Sequence, residues 1–266
     1  MQITLNAFPP YLVRSCSNQF NPLHCRTLKI GTLQYFRDIE DEHVVDREEG
    51  YYSVDIDFKY VHLPSNVYNY LLGTEQISSH GRFDQTWKVP SFLYENTSLY
   101  GMIKGEFKWK FRNRFILCFH GLSDPSESDK IFSQYNDKWC LKRRHVKDGL
   151  RILSDELFEY VKSLLNQGED VFTVKTKCDY LNFVSKIVEV KYGERHKKIT
   201  NIEYYSNNDS ILNIHDLISF LKPIKYSSER EYRWIIDFYY KDKPLEPKVD
   251  YLILPCERFS NYLNSL

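Results

Sequence analysis

The sequence has no excess of either charge. Its 36 lysines and arginines balance 36 aspartates and glutamates over 266 residues, for a formal net charge of +0. That balance gives no support to nonspecific nucleic-acid binding, which needs a broad positive field, and leaves room only for a local basic patch. The chain has no CxxC pair. Cys16, Cys25, Cys118, Cys140, Cys178 and Cys256 are scattered without the spacing of a zinc site, so no metal is expected. Met1 to Pro10 carries neither a basic start nor a long apolar run, so no secretory leader is expected. No apolar stretch approaches the roughly 20 residues of a membrane span. A cytoplasmic protein with reduced thiols is the simplest expectation. The strings GxGxxG and GxxxxGK are missing, which counts against an ordinary dinucleotide fold or a P-loop.

Aromatic residues, by contrast, are plentiful. They make up 16% of the chain, and Tyr alone numbers 21. That much ring area needs a core or a ligand-facing cleft to cover it, which excludes disorder. No internal repeat and no linker composition is visible, so the chain reads as one domain, 1–266. Residues 66–96 are poorly periodic and read as an inserted loop or small subdomain.

The periodicity gives a coarse map. YLVRSC reads as a short strand entering a loop. Asn21 before Pro22 reads as an N-cap and first helical position, opening a short helix to about Leu28. A strand carrying Leu33, Tyr35 and Phe36 is expected next. Asp38 to Gly50 is an acidic, solvated loop, and YYSVDIDFKYVHL alternates as a strand. Arg114 to Phe119 is a further strand. Asp129 to Trp139 reads as helical. In Asp148 to Leu165, seven apolar residues recur at helical spacing. Asp170–Lys175 and Phe183–Val190 read as strands, and 211–221 as a helix stopped by Pro223. The chain closes with a strand from Glu229 and another in VDYLILP. Helices interrupt the strands without regular alternation, which predicts an α+β fold rather than a doubly wound sheet.

The segment YSSEREYRWIIDFYY, 226–240, carries the most chemistry. On a strand, Glu229, Glu231 and Arg233 would share one face. A structural protein uses such a row as an ion-pair ladder. An enzyme uses it to hold a carboxylate against a sugar hydroxyl or a developing cation. Arg14, beside Ser15, Ser17 and Asn18 at a predicted strand end, offers a donor fork for a phosphate. Tyr35 and Phe36 could stack on a flat ring or fill a core. His120 ends a strand, where catalytic groups often sit. The acidic loop lacks the pattern of a calcium loop. Lys142, Arg143, Arg144, His145 and Lys147 form the best local basic patch.

Several short motifs resemble the bacterial and phage domain family of unknown function numbered 2971. They are LVRS around Arg14, LKIGTLQYFR, ILCFHGLSD, IFSQYND around Tyr135, and SSEREYRW. The chain departs from that pattern where Ile131 and Phe132 replace a Met–Trp pair and where His120 replaces a serine. LVRSCSN, LHCRTLKIG and EREYRW also resemble the opening strand and the E-x-E motif of ADP-ribosyltransferases. That resemblance implies a single-domain split, mixed β-sheet. It implies that NAD is the substrate, gripped by Arg14. Glu231 would bind the nicotinamide ribose and Glu229 would orient the acceptor. Tyr35, Phe36 and His120 would line the nicotinamide side. The family's middle serine is missing, and Ser123 or Ser133 would stand in for it. Arg14 and Glu231 would then converge on one cleft. The implied function is ADP-ribosyl transfer to a protein or nucleic acid, or NAD hydrolysis, in a toxin, defence or counter-defence factor. The residues themselves leave two alternatives open: a noncatalytic protein- or nucleotide-binding module, and a nucleic-acid-processing enzyme using the acidic loop and the basic patch.

Overall fold

The computed structural model describes residues 8–38, 46–72, 77–206 and 214–264. The fold is α+β, and the chain forms two compact units. The first joins Met1–Arg47, Asn113–Val190 and Lys225–Leu266, and the second joins Glu48–Arg112 and Lys191–Ile224. The crossings at 47/48 and 112/113 lie in charged sequence without glycine- or proline-rich linkers, which is why the composition reads as one domain.

The first unit holds eight strands: β1 (Tyr11–Cys16), β2 (Thr27–Thr32), β3 (Phe115–Leu122), β4 (Asp137–Lys142), β5 (Leu181–Glu189), β6 (Glu231–Tyr240), β7 (Lys243–Pro244) and β8 (Tyr251–Pro255). They form one sheet, and every ladder in it is antiparallel. The one mixed sheet expected over the whole chain is therefore corrected to separate sheets: this one is antiparallel throughout, and the mixed one lies in the second unit, where a parallel ladder joins His196–Thr200 to Tyr51–Pro64. β6 is a central strand, paired with β3 on one edge and with β5 on the other. Its run of aromatic and β-branched residues suits burial on both faces.

The opposite edge of β3 is shared. β1 takes Leu122 to His120, and β2 takes Ile116 and Phe115. Among the described ladders neither takes Leu117, Cys118 or Phe119, so the sheet is split there.

Helices α1 (Pro22–Cys25), α2 (Leu33–Asp38) and α3 (Arg143–Asn166) accompany these strands. Asn21 caps α1 as expected, its side chain accepting from the Leu23 N–H. The helix nevertheless ends at Cys25, because Arg26 turns into the left-handed region at φ 55°. The strand then runs over 27–32, and Tyr35 and Phe36 lie on helix α2 rather than on a strand. The Thr32 hydroxyl accepts the Tyr35 N–H, and the distant Asn113 side chain accepts the Gln34 N–H. Those caps favour a helical start over further strand. The expected helix over 129–139 shrinks to Ser128–Ile131, and Asp137 already belongs to β4. The expected strand over 170–175 is a single bridge between Phe172 and Pro247.

α3 matches its periodic pattern and begins five residues earlier than expected, so the KRRH patch forms its first turn. Val146, Leu150, Leu153, Leu157 and Val161 are buried in the same cluster as Leu12, Leu117, Phe119, Trp139, Trp234 and Ile236. Each such side chain contributes about 1.5–3 kcal/mol of transfer free energy. This apolar layer defines one face of the sheet. Leu117, Phe119 and Gly121 of β3 alternate onto it, leaving Ile116, Cys118 and His120 on the other.

In the second unit, Tyr51–Pro64 and Thr97–Phe111 make a long antiparallel pair, flanked by Ile77–Gln85, Lys88–Pro90 and His196–Thr200. Residues 66–96 thus supply a helix, Ser65–Leu72, and two strands of this sheet rather than a separate insertion. Of the helix expected over 211–221, residues 211–213 lie outside the described residues. The rest forms Ile214–Leu217 and the turn Ile218–Phe220.

His215 stacks on Tyr70 at 3.7 Å and meets Trp109 edge-on. It is buried, and neither ring nitrogen has a hydrogen-bond partner. Burial pulls its pKa down from 6.5 to about 4. Between those values the unfolded chain takes up the proton first, so stability falls as pH drops through that window. The expected loss from this group is about 3 kcal/mol. Urea denaturation at pH 7 and pH 4 should show His215→Phe losing less stability on acidification, by about that amount. Equal losses would remove His215 as the cause.

Candidate functional site

The candidate residues gather around the C-terminal half of β3. β6 begins only at Glu231. Residues 224–229 form a 3-10 helix after Pro223, and Arg230 is left-handed at φ 47°. The row of Glu229, Glu231 and Arg233 on one strand face is therefore corrected. Glu229 sits at the end of the turn, where its carbonyl meets His120 Nδ1 at 3.0 Å. Only Glu231 and Arg233 keep the shared face.

Glu231 stands opposite His120, and Arg233 stands opposite Cys118. All four therefore line the face away from α3. Arg233 Nε donates to Glu231 Oε1 at 2.6 Å, and each residue is only 2% exposed. Further along the same face, Arg114 grips Asp237 with two bonds, Nε to Oδ1 at 3.0 Å and a terminal nitrogen to Oδ2 at 2.7 Å. Burial, and after it Glu231, pushes the Cys118 thiol well above its ordinary range.

Arg14 arrives differently. It is opposite Trp139 in the β1–β4 ladder, and Trp139 belongs to the apolar layer under α3. The register thus puts Arg14 and Glu231 on opposite faces of the sheet. The expected convergence of the two side chains on one face is therefore corrected; Arg14 instead donates to the Cys118 carbonyl at 2.8 Å, inside the split of the β3 edge. One N–H of the Arg14 fork is used there.

The His120 ring lies 4.3 Å from Phe132, which in turn neighbours Tyr135 at 6.4 Å. Gly121, the next residue, packs on the apolar side so closely that a Cβ would lie 2.5 Å from the Tyr232 ring. Tyr35 and Phe36 stand over Gly31, whose register partner is Ile116, and so share the Arg233 face. Tyr35 is engaged already: Lys29 Nζ donates to its hydroxyl at 2.7 Å, and Tyr251 meets its ring edge-on. Ser123 and Ser133 are exposed beyond the end of β3.

No family model, curated protein or solved structure matches the chain.

Among the described residues, no group of three or more His, Cys, Asp or Glu is placed to hold a metal ion. No described helix is long and apolar enough to cross a membrane. In the basic patch, Arg143 donates to the Pro9 carbonyl and Arg144 to His145. Residues 39–45 of the acidic loop lie outside the described residues, while Asp46 and Glu49 are buried. Sequence reasoning missed Cys118, Arg114 and Asp237. Cys118 carried a usable signal, since it alternates with His120 in ILCFH. Arg114 and Asp237 meet across 123 residues of sequence, which no local pattern announces.

Proposed function

We propose that the chain consumes NAD, transferring ADP-ribose to a protein or nucleic-acid acceptor or to water, on an ADP-ribosyltransferase-like split sheet. One observation supports this most. The motif segments LVRS, ILCFH, IFSQY and SSEREYR, far apart in sequence, meet around the end of β3. In this reading NAD spans the split at Cys118, with its pyrophosphate on the Arg14 side and its ribose on the Glu231 side. The remaining donors of Arg14 hold the pyrophosphate. As the bond from the ribose to nicotinamide breaks, its electron pair leaves with nicotinamide, and Glu231 stabilises the oxocarbenium-like sugar. The acceptor oxygen or nitrogen then bonds to that carbon and gives up its proton to solvent, with Glu229 orienting it. Tyr35 and Phe36 flank the nicotinamide side. A bacterial or phage toxin, or a defence or counter-defence factor in the cytoplasm, is the setting that fits.

A second reading has its own support. Glu231 and Arg233 form an ion pair and are almost wholly buried, which suits a structural ladder in a noncatalytic protein- or nucleotide-binding module.

Calorimetric titration with NAD, ADP-ribose and ATP tests the first reading. Specific heat with NAD, lost in Arg14→Ala at a temperature where the variant is still folded, is expected. No heat for any nucleotide at millimolar concentration would overturn it.

A further inference from the structure

We propose that a row of exposed cations on α3 docks the phosphate backbone of a nucleic acid, and that the acceptor of ADP-ribose is therefore a nucleic acid rather than a protein. The second half rests on the NAD reading above, and the first does not. The chain is neutral as a whole, yet Lys138 to Arg151 holds six lysines and arginines and a single aspartate. Arg143, Lys147 and Arg151 recur every four residues along α3, and all three are exposed, with Arg144 exposed beside them. Residues four apart share a helix face, about 6 Å from one another. The row is therefore about 12 Å long. A nucleic-acid strand carries one phosphate per about 3.4 Å of axis, so the row faces about three or four phosphates.

Helix stability alone would not select this row. Like charges four apart repel, and cations in the first turn oppose the helix dipole. α3 has no acidic residue in that turn, and Lys142 gives it no side-chain cap. Only at the far end of the row does a carboxylate approach, where Asp155 lies 3.6 Å from Arg151. Lys142, Arg143, Arg144 and Lys147 have no carboxylate at ion-pair distance among the described residues. Arg143 donates to the Pro9 carbonyl and Arg144 to the His145 ring, in both cases through Nε. The terminal nitrogens of each fork are left for a phosphate. An anionic lipid surface has the same charge but needs apolar side chains to enter it. No large apolar side chain between Lys142 and Arg151 is exposed, and Val146 and Leu150 are fully buried.

The row stands at the same end of the sheet as the candidate site. Lys142 is opposite Tyr11, and Tyr11 is opposite Leu122, two residues beyond His120, the partner of Glu231. From Lys142 to Glu231 is thus three strands, about 14 Å, and two residues, about 7 Å. A docked strand that continues around the end of the sheet covers that separation in about five nucleotides. In the transfer step a nitrogen or oxygen of the strand bonds to the ribose carbon. Nicotinamide leaves with its electron pair, and the proton on the attacking atom passes to solvent.

Fluorescence anisotropy of a labelled DNA duplex of mixed sequence, titrated with the full chain over a range of salt, tests the docking. Binding that ignores sequence is expected, with log K falling against log salt at a slope of about −3, from three or four neutralised phosphates. Lys147→Gln should weaken binding for every sequence and reduce the slope by about one. No binding at low salt, or a slope unmoved by Lys147→Gln, would overturn the docking surface. Binding to phosphatidylserine vesicles but not to the duplex would overturn the choice of nucleic acid. Radiolabelled NAD reads the second half. Label should pass to the nucleic acid, and Arg144→Gln, Lys147→Gln and Arg151→Gln together should abolish that transfer while nicotinamide release to water continues. Label on protein alone overturns the nucleic-acid acceptor. Duplex binding by a chain that never consumes NAD overturns the NAD reading and supports the docking surface by itself.

Discussion

Glu231→Gln is expected to slow nicotinamide release by about two orders of magnitude or more, the size of effect seen when one electrostatic stabiliser is removed from a preorganised site. Glutamine keeps the length of the side chain and an oxygen that can accept from Arg233 Nε. It removes the negative charge that a developing oxocarbenium would feel. The buried setting changes what a melting curve means for this variant. Arg233 is 2% exposed, so taking away its countercharge costs stability under the catalytic and the structural reading alike. A lowered melting temperature therefore does not choose between them, and the rate does. Release should be compared at a temperature where both proteins are folded. An unchanged rate per folded molecule would end the catalytic assignment.

Asp237→Ala is expected to cost about 3–5 kcal/mol of unfolding free energy, with Arg114→Ala similar, because each removes a two-bond countercharge from a buried ion. The pair has two bonds, and both side chains are more than nine-tenths enclosed. The attraction is therefore poorly screened, and the cost should change little between low and moderate salt. Replacing both residues together, as Arg114→Met with Asp237→Leu, should recover part of the loss, since the desolvation of two ions is then no longer required. Urea denaturation of the three variants checks this. A single substitution costing under about 1 kcal/mol would show the pair to be as weak as a surface bridge.

How much of this was legible follows from which signals are local. The apolar positions of α3 repeat every three or four residues, and burial follows that pattern from Val146 to Val161. The cap of α1 was readable from Asn21 and Pro22. The α+β class followed from irregular alternation of elements. What failed depended on distant partners or on one dihedral angle. Tyr35 and Phe36 looked like strand residues, but their helix is started by Thr32 and by Asn113 from another segment. Glu229 looked like a strand neighbour of Glu231, but the left-handed Arg230 between them breaks the alternation. At the site, the Glu231–Arg233 contact was implied by spacing, and the opposite face of Arg14 was not. That face is fixed by the pairing of β1 with β4, through Trp139. The division into two units was hidden because strands, rather than linkers, begin within a few residues of each crossing.

The long pair formed by Tyr51–Pro64 and Thr97–Phe111 also bears on how the chain reaches its fold. Tyr51 is paired with Lys110, so a hairpin that closes within itself returns the chain close to where it left. β2 and β3 are then separated by a short effective path, although the sequence between them is long. Loop closure grows only slowly costlier with length, at about 0.6 kcal/mol per doubling, but non-local pairing is slow because that cost precedes the contact it allows. An early hairpin would shorten the search for β2 against β3. No such device helps β6, which lies late in the chain. During synthesis, β3 must wait for it with an unpaired, apolar edge. An unpaired, apolar strand edge is the feature that makes partly folded chains prone to aggregate.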